Sequence, residues 1–111
     1  INIEEIHHIH KQDAPSGTAI SLAQSCETNT KLEQLDASNY TFGKVNIVSK
    51  REGEVAGIHT IELDNDSELI QITHSAKTPD IFAQGAINVA KWLINQKPNN
   101  YTMKDFLESL D

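Results

Sequence analysis

A strand passes into a helix within the stretch EIHHIHKQDAPSGTA, residues 5–19 of the 111-residue chain. The apolar and β-branched residues at the start of the chain suit an extended strand, and alternation places Ile3, Glu5 and His7 on one of its faces. The turn-forming residues that follow end the strand, and from Thr18 onward apolar residues recur at helical spacing. The stretch therefore predicts a strand, a loop and a helix start in immediate succession.

Three further strands are predicted in the first part of the chain. They are expected near Lys44–Ser49, Glu54–Leu63 and Glu68–His74, where β-branched residues are frequent. The cluster Asp64-Asn65-Asp66-Ser67 consists of turn formers and predicts a hairpin between the last two strands. Residues 29–39 are polar and are predicted to be irregular.

Two more helices are predicted toward the C-terminus. The sequence Thr78-Pro79-Asp80 combines a capping residue, a first-turn proline and an acidic first turn. The buried face of this helix is expected to consist of Phe82, Ala86, Val89, Ala90 and Leu93. A short final helix is predicted from Thr102, which together with Asp105 forms the pattern of a capping box.

The order of these elements predicts an α+β fold. We expect a mixed sheet of four strands or more, with helices covering one face. The sequence contains neither G-x-G-x-x-G nor a P-loop, so a Rossmann domain is not expected in this chain. Because the chain begins at Ile1 inside a predicted strand, we expect it to be part of a longer protein.

The charge balance limits the possible partners. There are 9 basic and 16 acidic residues, a net charge of −7, which argues against binding to nucleic acid or to an anionic membrane. The single cysteine, Cys26, excludes an internal disulfide framework and a cysteine-rich zinc site. No apolar run approaches the length of about 20 residues that a membrane span needs. A cytoplasmic location is therefore expected.

The loop before the first helix concentrates residues that can carry chemistry. The backbone N–H groups of a helix start lack internal partners and lie at the positive end of the helix dipole, so Ser16-Gly17-Thr18 is a candidate seat for a carboxylate or phosphate. Lys11 can contact the same anion, while His7 or His8 supplies a proton at neutral pH. This combination predicts a site for a small acidic molecule that accepts a proton.

Metal binding is the sharpest alternative interpretation. His8 and His10 have the two-residue spacing of a chelating pair on a strand, and His7 or Asp13 can complete such a site. The positive charge of Lys11 would repel a cation, and the sequence has no H-E-x-x-H motif. The anion site is therefore favoured over the metal site, and no metal is expected.

Other polar and aromatic residues have simpler structural interpretations. His59 and His74 fall in predicted strands and are interpreted as hydrogen-bonded sheet histidines. Arg51 is interpreted as part of a solvated turn, and Trp92 as a core or interface residue of its helix. Ser16 alone is most simply a helix N-cap.

The pattern E-x-H-H-x-x-K-x-D-A-P-S-G-T-A at residues 5–19 closely resembles the signature of the 4-hydroxy-tetrahydrodipicolinate reductase family, also called dihydrodipicolinate reductases. The similarity continues at residues 51–57, 59–60, 72–74, 82–86, 92–93 and 101–105. The resemblance implies that residues 1–78 form the substrate-binding and oligomerisation domain of a homotetramer. It further implies that residues 79–111 are helices that pack back on a nucleotide-binding domain absent from this chain.

The resemblance also implies an activity. Members of the family reduce a cyclic dicarboxylic imine to tetrahydrodipicolinate with NADPH or NADH, in the diaminopimelate route to lysine. By position, His7 corresponds to the proton donor and Lys11 to the second catalytic residue. Substrate contacts correspond to His8 and Ser16-Gly17-Thr18, and Phe82 to a residue near the cofactor. We expect this chain alone to be inactive because the nucleotide-binding domain is absent.

One position departs from the family pattern. The family usually has an arginine where this chain has Pro79, three residues before Phe82. Any contact made by that arginine is therefore in doubt. Two alternatives stay open at the level of sequence: a histidine-rich metal-binding or hydrolytic domain, and a purely structural assembly domain.

Overall fold

The computed structural model describes residues 1–110, and the chain divides into two compact units, Ile1–Thr78 and the residues from Pro79 onward. The first unit contains six strands and one helix: β1 Asn2–His7, α1 Gly17–Cys26, β2 Leu32–Gln34, β3 Asn39–Phe42, β4 Val45–Arg51, β5 Gly57–Asp64 and β6 Leu69–Ala76. The second unit contains the helices α2 Asp80–Leu93 and α3 Met103–Glu108. The predicted α+β class is confirmed.

The six strands form one mixed sheet in the order β2-β3-β4-β1-β5-β6. Strand β1 lies between β4, to which it is parallel, and β5, to which it is antiparallel. All other neighbouring strands are antiparallel. The predicted hairpin joins β5 to β6, and the Asn65 side chain accepts hydrogen bonds from the backbone of Ser67 and Glu68 within it. The central position of β1 places the residues that follow it beside the ends of both neighbouring strands.

The prediction of irregular structure at residues 29–39 is wrong in part. Strand β2 lies inside this stretch and β3 begins at its end. Strand β2 is a short strand at the edge of the sheet, and all its residues are exposed. Because no face of it is buried, its sequence shows no alternation of apolar and polar residues. In β3, Tyr40 and Phe42 are buried and belong to the hydrophobic core, so this strand contributes directly to the packing beneath α1.

Helix α1 packs on one face of the sheet. The N-cap is Ser16, as predicted, and its hydroxyl accepts a hydrogen bond from the backbone N–H of Ala19. Two alanines of α1, Ala19 and Ala23, are fully buried, and their small side chains allow the helix backbone to approach the strands closely. The remainder of this core consists of Ile3, Tyr40, Phe42, Val45 and Ile47.

In the second unit the predicted capping box of α3 is confirmed: Thr102 and Asp105 bond reciprocally. The predicted buried face of α2 is wrong, because none of Phe82, Ala86, Val89, Ala90 or Leu93 is buried in the described residues. Helical periodicity indicates which face favours burial, but it does not indicate whether the covering surface belongs to the same chain. No helix within residues 1–110 combines the length and the apolar character required to cross a membrane.

Candidate functional site

A buried carboxylate lies at the centre of a polar cluster on the α1 side of the sheet. Glu5 of β1 is fully buried, and its Oε1 accepts a hydrogen bond of 2.8 Å from Arg51 Nη1 at the end of β4. The other oxygen, Oε2, contacts Nδ1 of His7. The sheet register produces this arrangement, because β1 pairs His7 with Arg51 on one side and Glu5 with His59 on the other.

The charge state of Glu5 follows from its partners. Burial alone raises the pKa of the Glu5 carboxyl, but the hydrogen bonds around it, of which that from Arg51 has the largest effect, and the charge of Arg51 together outweigh the burial, and the pKa lies below its ordinary value of 4.5. Glu5 is therefore ionised at neutral pH. Since an ionised carboxylate can only accept hydrogen bonds, His7 Nδ1 carries the hydrogen of their contact.

Arg51 also holds the loop that contains Lys11. Its Nη2 donates to the backbone oxygen of Asp13 at 2.7 Å, and the Asp13 carboxylate accepts from Lys11 Nζ at 2.8 Å. The hydrogen bond from Lys11 lowers the pKa of Asp13. Through Glu5 and Asp13, one guanidinium group thus organises the surroundings of both predicted catalytic residues, His7 and Lys11.

The start of α1 is joined to the sheet by His59. Ser16 is almost fully buried, and its Oγ is hydrogen-bonded to His59 Nε2 at 3.0 Å. The Ser16 hydroxyl is thus already used as a cap and as a tie to β5. Gly17 and Thr18 are exposed, and the space around Gly17 is open. At this helix start, Gly17 and Thr18 are therefore the members of the predicted anion seat that a ligand can reach.

A groove runs alongside this helix start. It has a volume of about 190 Å³ and is mainly apolar. Its walls come from α1, β5 and β6, and the lining residues are Thr18, Leu22, His59, Ile61, Ile72 and His74. A ring-shaped ligand can therefore rest against an apolar wall while its acidic groups face the helix start.

The metal site predicted from His8 and His10, completed by His7 or Asp13, does not form a group of three potential ligands within residues 1–110. His10 is exposed, and its ring lies 6.1 Å from that of His8. Among residues 1–110, the side chains close enough to share an ion are instead Glu5, His7 and His59, whose ligand atoms lie within 4.8 Å of one another. In this group Glu5 is already bonded to Arg51, and His59 is bonded to the N-cap serine. Each of these two potential ligands therefore already has a partner within the protein.

The sequence interpretation missed the importance of two residues in this cluster. Arg51 was expected in a solvated turn, but its side chain is 20% exposed and bonds a buried carboxylate. His59 is a hydrogen-bonded sheet histidine, as expected, yet it also lies edge-on to His7 at 5.0 Å. The available signal was the alternation in β1, which puts Glu5 and His7 on one face and so requires a buried partner for the carboxylate.

Replacing His59 by glutamine should weaken the dependence of stability on pH near neutrality. Burial, and next the charge of His7, lower the pKa of His59 below 6.5 in the folded protein. The unfolded chain then takes up its proton at higher pH than the folded protein does, so stability falls as the pH decreases below about 6.5. Each unit of pKa lowering corresponds to about 1.4 kcal/mol. Urea unfolding between about pH 7 and pH 5 measures the difference, and His59→Gln should lose less stability over this range.

Glu5 provides an internal control for this measurement. Its folded pKa lies below 4.5, so the stability that it contributes is lost only at lower pH, and this loss should persist in the His59→Gln variant. Glutamine can still bond the Ser16 hydroxyl, which limits the structural disturbance. An equal fall in stability between pH 7 and pH 5 in both proteins would contradict the prediction.

Comparison with known proteins places this geometry in a family. The family described as dihydrodipicolinate reductase, C-terminus, matches residues 1–107. The 4-hydroxy-tetrahydrodipicolinate reductase of Helicobacter hepaticus is 45% identical over 97% of this chain and 46% of its own length. That of Christiangramia forsetii is 43% identical over 99% of this chain and 46% of its own length. The chain therefore spans about half the length of the curated relatives that it matches.

A solved structure supports the same assignment. The dipicolinate-bound dihydrodipicolinate reductase from Paenisporosarcina sp. TG-14 superposes with a TM-score of 0.62 and is 26% identical to this chain. The match covers 78% of this chain and 36% of that one. The agreement of family, relatives and fold leads to one conclusion: this chain belongs to the dihydrodipicolinate reductase family and corresponds to its C-terminal part.

Proposed function

We propose that this chain is the substrate-binding and catalytic part of a 4-hydroxy-tetrahydrodipicolinate reductase. The enzyme would reduce a cyclic dicarboxylic imine to tetrahydrodipicolinate in the diaminopimelate route to lysine. The observation that carries the proposal is the arrangement around Arg51, whose guanidinium bonds both the partner of His7 and the partner of Lys11. The dipicolinate bound to the related enzyme of Paenisporosarcina supports the dicarboxylate specificity.

In this proposal the residues of the chain hold the substrate and supply a proton. Lys11, the backbone N–H groups of the exposed residues Gly17 and Thr18, and the Thr18 hydroxyl bind the carboxylates, since charge-assisted hydrogen bonds and a helix N-terminus both favour anions. His8 is proposed as a further substrate contact. His7 donates a proton to the ring as negative charge develops there, and Lys11 stabilises that charge.

A reduced nicotinamide nucleotide, NADPH or NADH, supplies the hydride of this reaction. Residues 1–110 offer no glycine-rich strand-to-helix turn for a pyrophosphate, so the nucleotide does not fit a site formed by them alone. We assign its binding mainly to the half of the reductase that this chain does not cover. Phe82, half-exposed on α2, is proposed as this chain's contact near the cofactor. Pro79 replaces the family's arginine, so no ionic contact is assigned there.

The two compact units are proposed to have different tasks. Residues 1–78 would bind substrate and assemble into a homotetramer, while the helices of residues 79–111 would pack on the nucleotide-binding domain. Two observations support these tasks. Most of β6 is exposed, including Leu69, Ile70 and Ile72, and the large apolar side chains of α2 that are exposed are Ile81, Phe82, Ile87 and Leu93. A cytoplasmic location is proposed, in keeping with biosynthetic chemistry and a single free cysteine.

Removing Lys11 should weaken dicarboxylate binding. In calorimetric titration with pyridine-2,6-dicarboxylate, we expect Lys11→Ala to raise the dissociation constant about 10- to 100-fold, the value of a charge-assisted hydrogen bond. Thr18→Val replaces a hydroxyl by a methyl group of similar size, and its expected loss is about three- to ten-fold. A ligand carboxylate would compete with Asp13 for the ammonium group, so the release of that contact forms part of the measured affinity.

A second lysine provides the control. Lys44 is exposed in the turn between β3 and β4, away from the helix start, and Lys44→Ala changes the net charge by the same amount. Its affinity for the dicarboxylate should equal that of the wild type. Unchanged affinity in both Lys11→Ala and Thr18→Val would refute the proposed site. An equal loss in Lys11→Ala and Lys44→Ala would reduce it to non-specific charge attraction.

A further inference from the structure

We propose that Glu5, held by Arg51, is a positioning residue for His7, fixing the imidazole so that Nε2 carries out the proton transfer. The inference rests on the proposed function for the identity of the reaction. Its structural basis is independent of that function, because it concerns which nitrogen of His7 carries a hydrogen and where the ring is held. Glu5 itself is fully buried, and neither Glu5 nor His7 is among the residues that line the groove, which includes the neighbouring His59.

The two carboxylate oxygens of Glu5 have different partners. Oε1 is bonded to Arg51 and Oε2 to His7 Nδ1, so each oxygen of Glu5 has a separate cationic or N–H partner. The guanidinium fixes the carboxylate plane, since its donors have a rigid geometry. A fixed, ionised acceptor beside Nδ1 selects the tautomer in which Nδ1 carries the hydrogen. In neutral His7, Nε2 is then the acceptor, and in protonated His7 it is the nitrogen that can release a proton.

The space around His7 Nε2 is restricted by its neighbours. Gly57 lies beside this nitrogen, and a Cβ atom added there would approach it to 3.2 Å. The φ angle of Gly57 is +155°, a conformation that side-chain-bearing residues rarely adopt, so the backbone at this position is itself adapted to glycine. The ring of His59 stands edge-on on another side at 5.0 Å. The His7 side chain is only 12% exposed, so few other ring orientations are available to it.

A role of Glu5 in positioning His7 differs from a role in stabilising the fold. A buried ion pair is weak evidence for stability, because apolar side chains of similar volume often fold as well or better. The presence of Glu5 in the core is therefore not explained by stability alone. Its second oxygen contacts His7 Nδ1, which indicates that Glu5 orients the imidazole. A purely structural Glu5 would leave the tautomer of His7 unaffected by substitution.

The test compares Glu5→Gln with a matched control on the same strand. Glu4 lies on the opposite face of β1 in an exposed ion pair with Lys50, so Glu4→Gln removes the same charge without touching His7. Imidazole ¹⁵N shifts, recorded at about pH 9 where histidine is neutral, report the tautomer directly. We expect hydrogen on Nδ1 of His7 in the wild type and in Glu4→Gln, and a mixture of tautomers in Glu5→Gln.

Turnover of the complete reductase supplies the second readout. Glu5→Gln should lower kcat about 10- to 100-fold, within the contribution of a general acid, while KM changes little. Glu5→Asp keeps the charge and should recover part of the Nδ1–H tautomer. A wild-type protein with hydrogen on Nε2, or an unchanged tautomer in Glu5→Gln, would overturn the inference. The wild-type spectrum needs no variant, so the inference stays testable if Glu5→Gln fails to fold.

The failure of this inference can be told apart from the failure of the proposed function. Binding of pyridine-2,6-dicarboxylate tests the function and depends on Lys11 and the helix start rather than on Glu5. Normal binding with the wrong His7 tautomer would overturn the positioning role alone. The correct tautomer without binding would overturn the proposed function and leave the geometry of Glu5 and His7 intact.

Discussion

Replacing Arg51 by alanine is expected to lower the free energy of unfolding by about 3 kcal/mol, the cost of leaving a buried carboxylate without its ionic partner. Glu5 is fully buried, and Arg51 Nη1 bonds it at 2.8 Å. Without the guanidinium, the burial that opposes ionisation of Glu5 would lose its largest counterweight. The same substitution removes the bond to the Asp13 carbonyl, so the loop before α1 loses its anchor to β4. Denaturant unfolding at neutral pH measures the loss.

The neighbouring residue offers a closely matched control. Lys50 precedes Arg51 on β4 and also pairs with a glutamate of β1, since its Nζ lies 3.0 Å from Glu4 Oε2. Both members of that pair are more than 40% exposed, so Lys50→Ala should cost less than about 1 kcal/mol. Similar losses in the two variants would contradict a special role for the buried pair.

The contrast between Lys50 and Arg51 shows a difference in burial that local sequence patterns do not predict. Their neighbourhood in the sequence is a run of charged residues, which suggests a solvated turn for both. The difference arises from the sheet register, which places Arg51 beside His7 on the α1 side and directs Lys50 toward the opposite face. That parallel pairing brings together the side chains of Glu5 and Arg51, which are 46 positions apart in the sequence, and local periodicity carries no information about such a contact.

Signals that act within a few residues predicted their structures well. Ser16 as the cap of α1, the β5–β6 hairpin and the Thr102 capping box all depend on side chains that bond nearby backbone groups. Strand β2 escaped prediction because an exposed edge strand needs no apolar alternation, and its pairing with β3 is set by the partner strand. Helix α2 was recognised by its amphipathic pattern, yet that pattern left open what covers it.

The candidate site could be predicted in part, because some of its residues are close together in the sequence. His7, Lys11 and the start of α1 lie within a dozen residues, so one loop necessarily brings them near each other. The residues that organise them come from β4 and β5, whose positions only the complete sheet determines. Arg51 reaches the loop from one side, and His59 ties the N-cap from the other. The reacting groups are thus local in sequence, whereas their support is tertiary.

Truncating the core beneath α1 should reduce stability without altering the site. Ile47 of β4 is fully buried, between Ile3 of β1 and Tyr40 of β3 in the sheet register, and Ile47→Ala should cost about 3 to 4 kcal/mol through lost burial and the cavity left behind. The matched control is Ile94→Ala, where the isoleucine is 81% exposed and the expected change is below about 0.5 kcal/mol. Thermal and urea unfolding measure both.

The Ile47→Ala variant also shows whether the stability of the fold and the binding of the ligand are independent. Pyridine-2,6-dicarboxylate at about 100 times its dissociation constant should add about 2.7 kcal/mol to the free energy of unfolding of any form that retains the site. Because Ile47 is not itself one of the residues that line the groove, we expect this increment to be the same in the wild type and in Ile47→Ala. A smaller increment in the variant would mean that packing beneath α1 sets the position of Gly17 and Thr18, and that core and site are one cooperative unit.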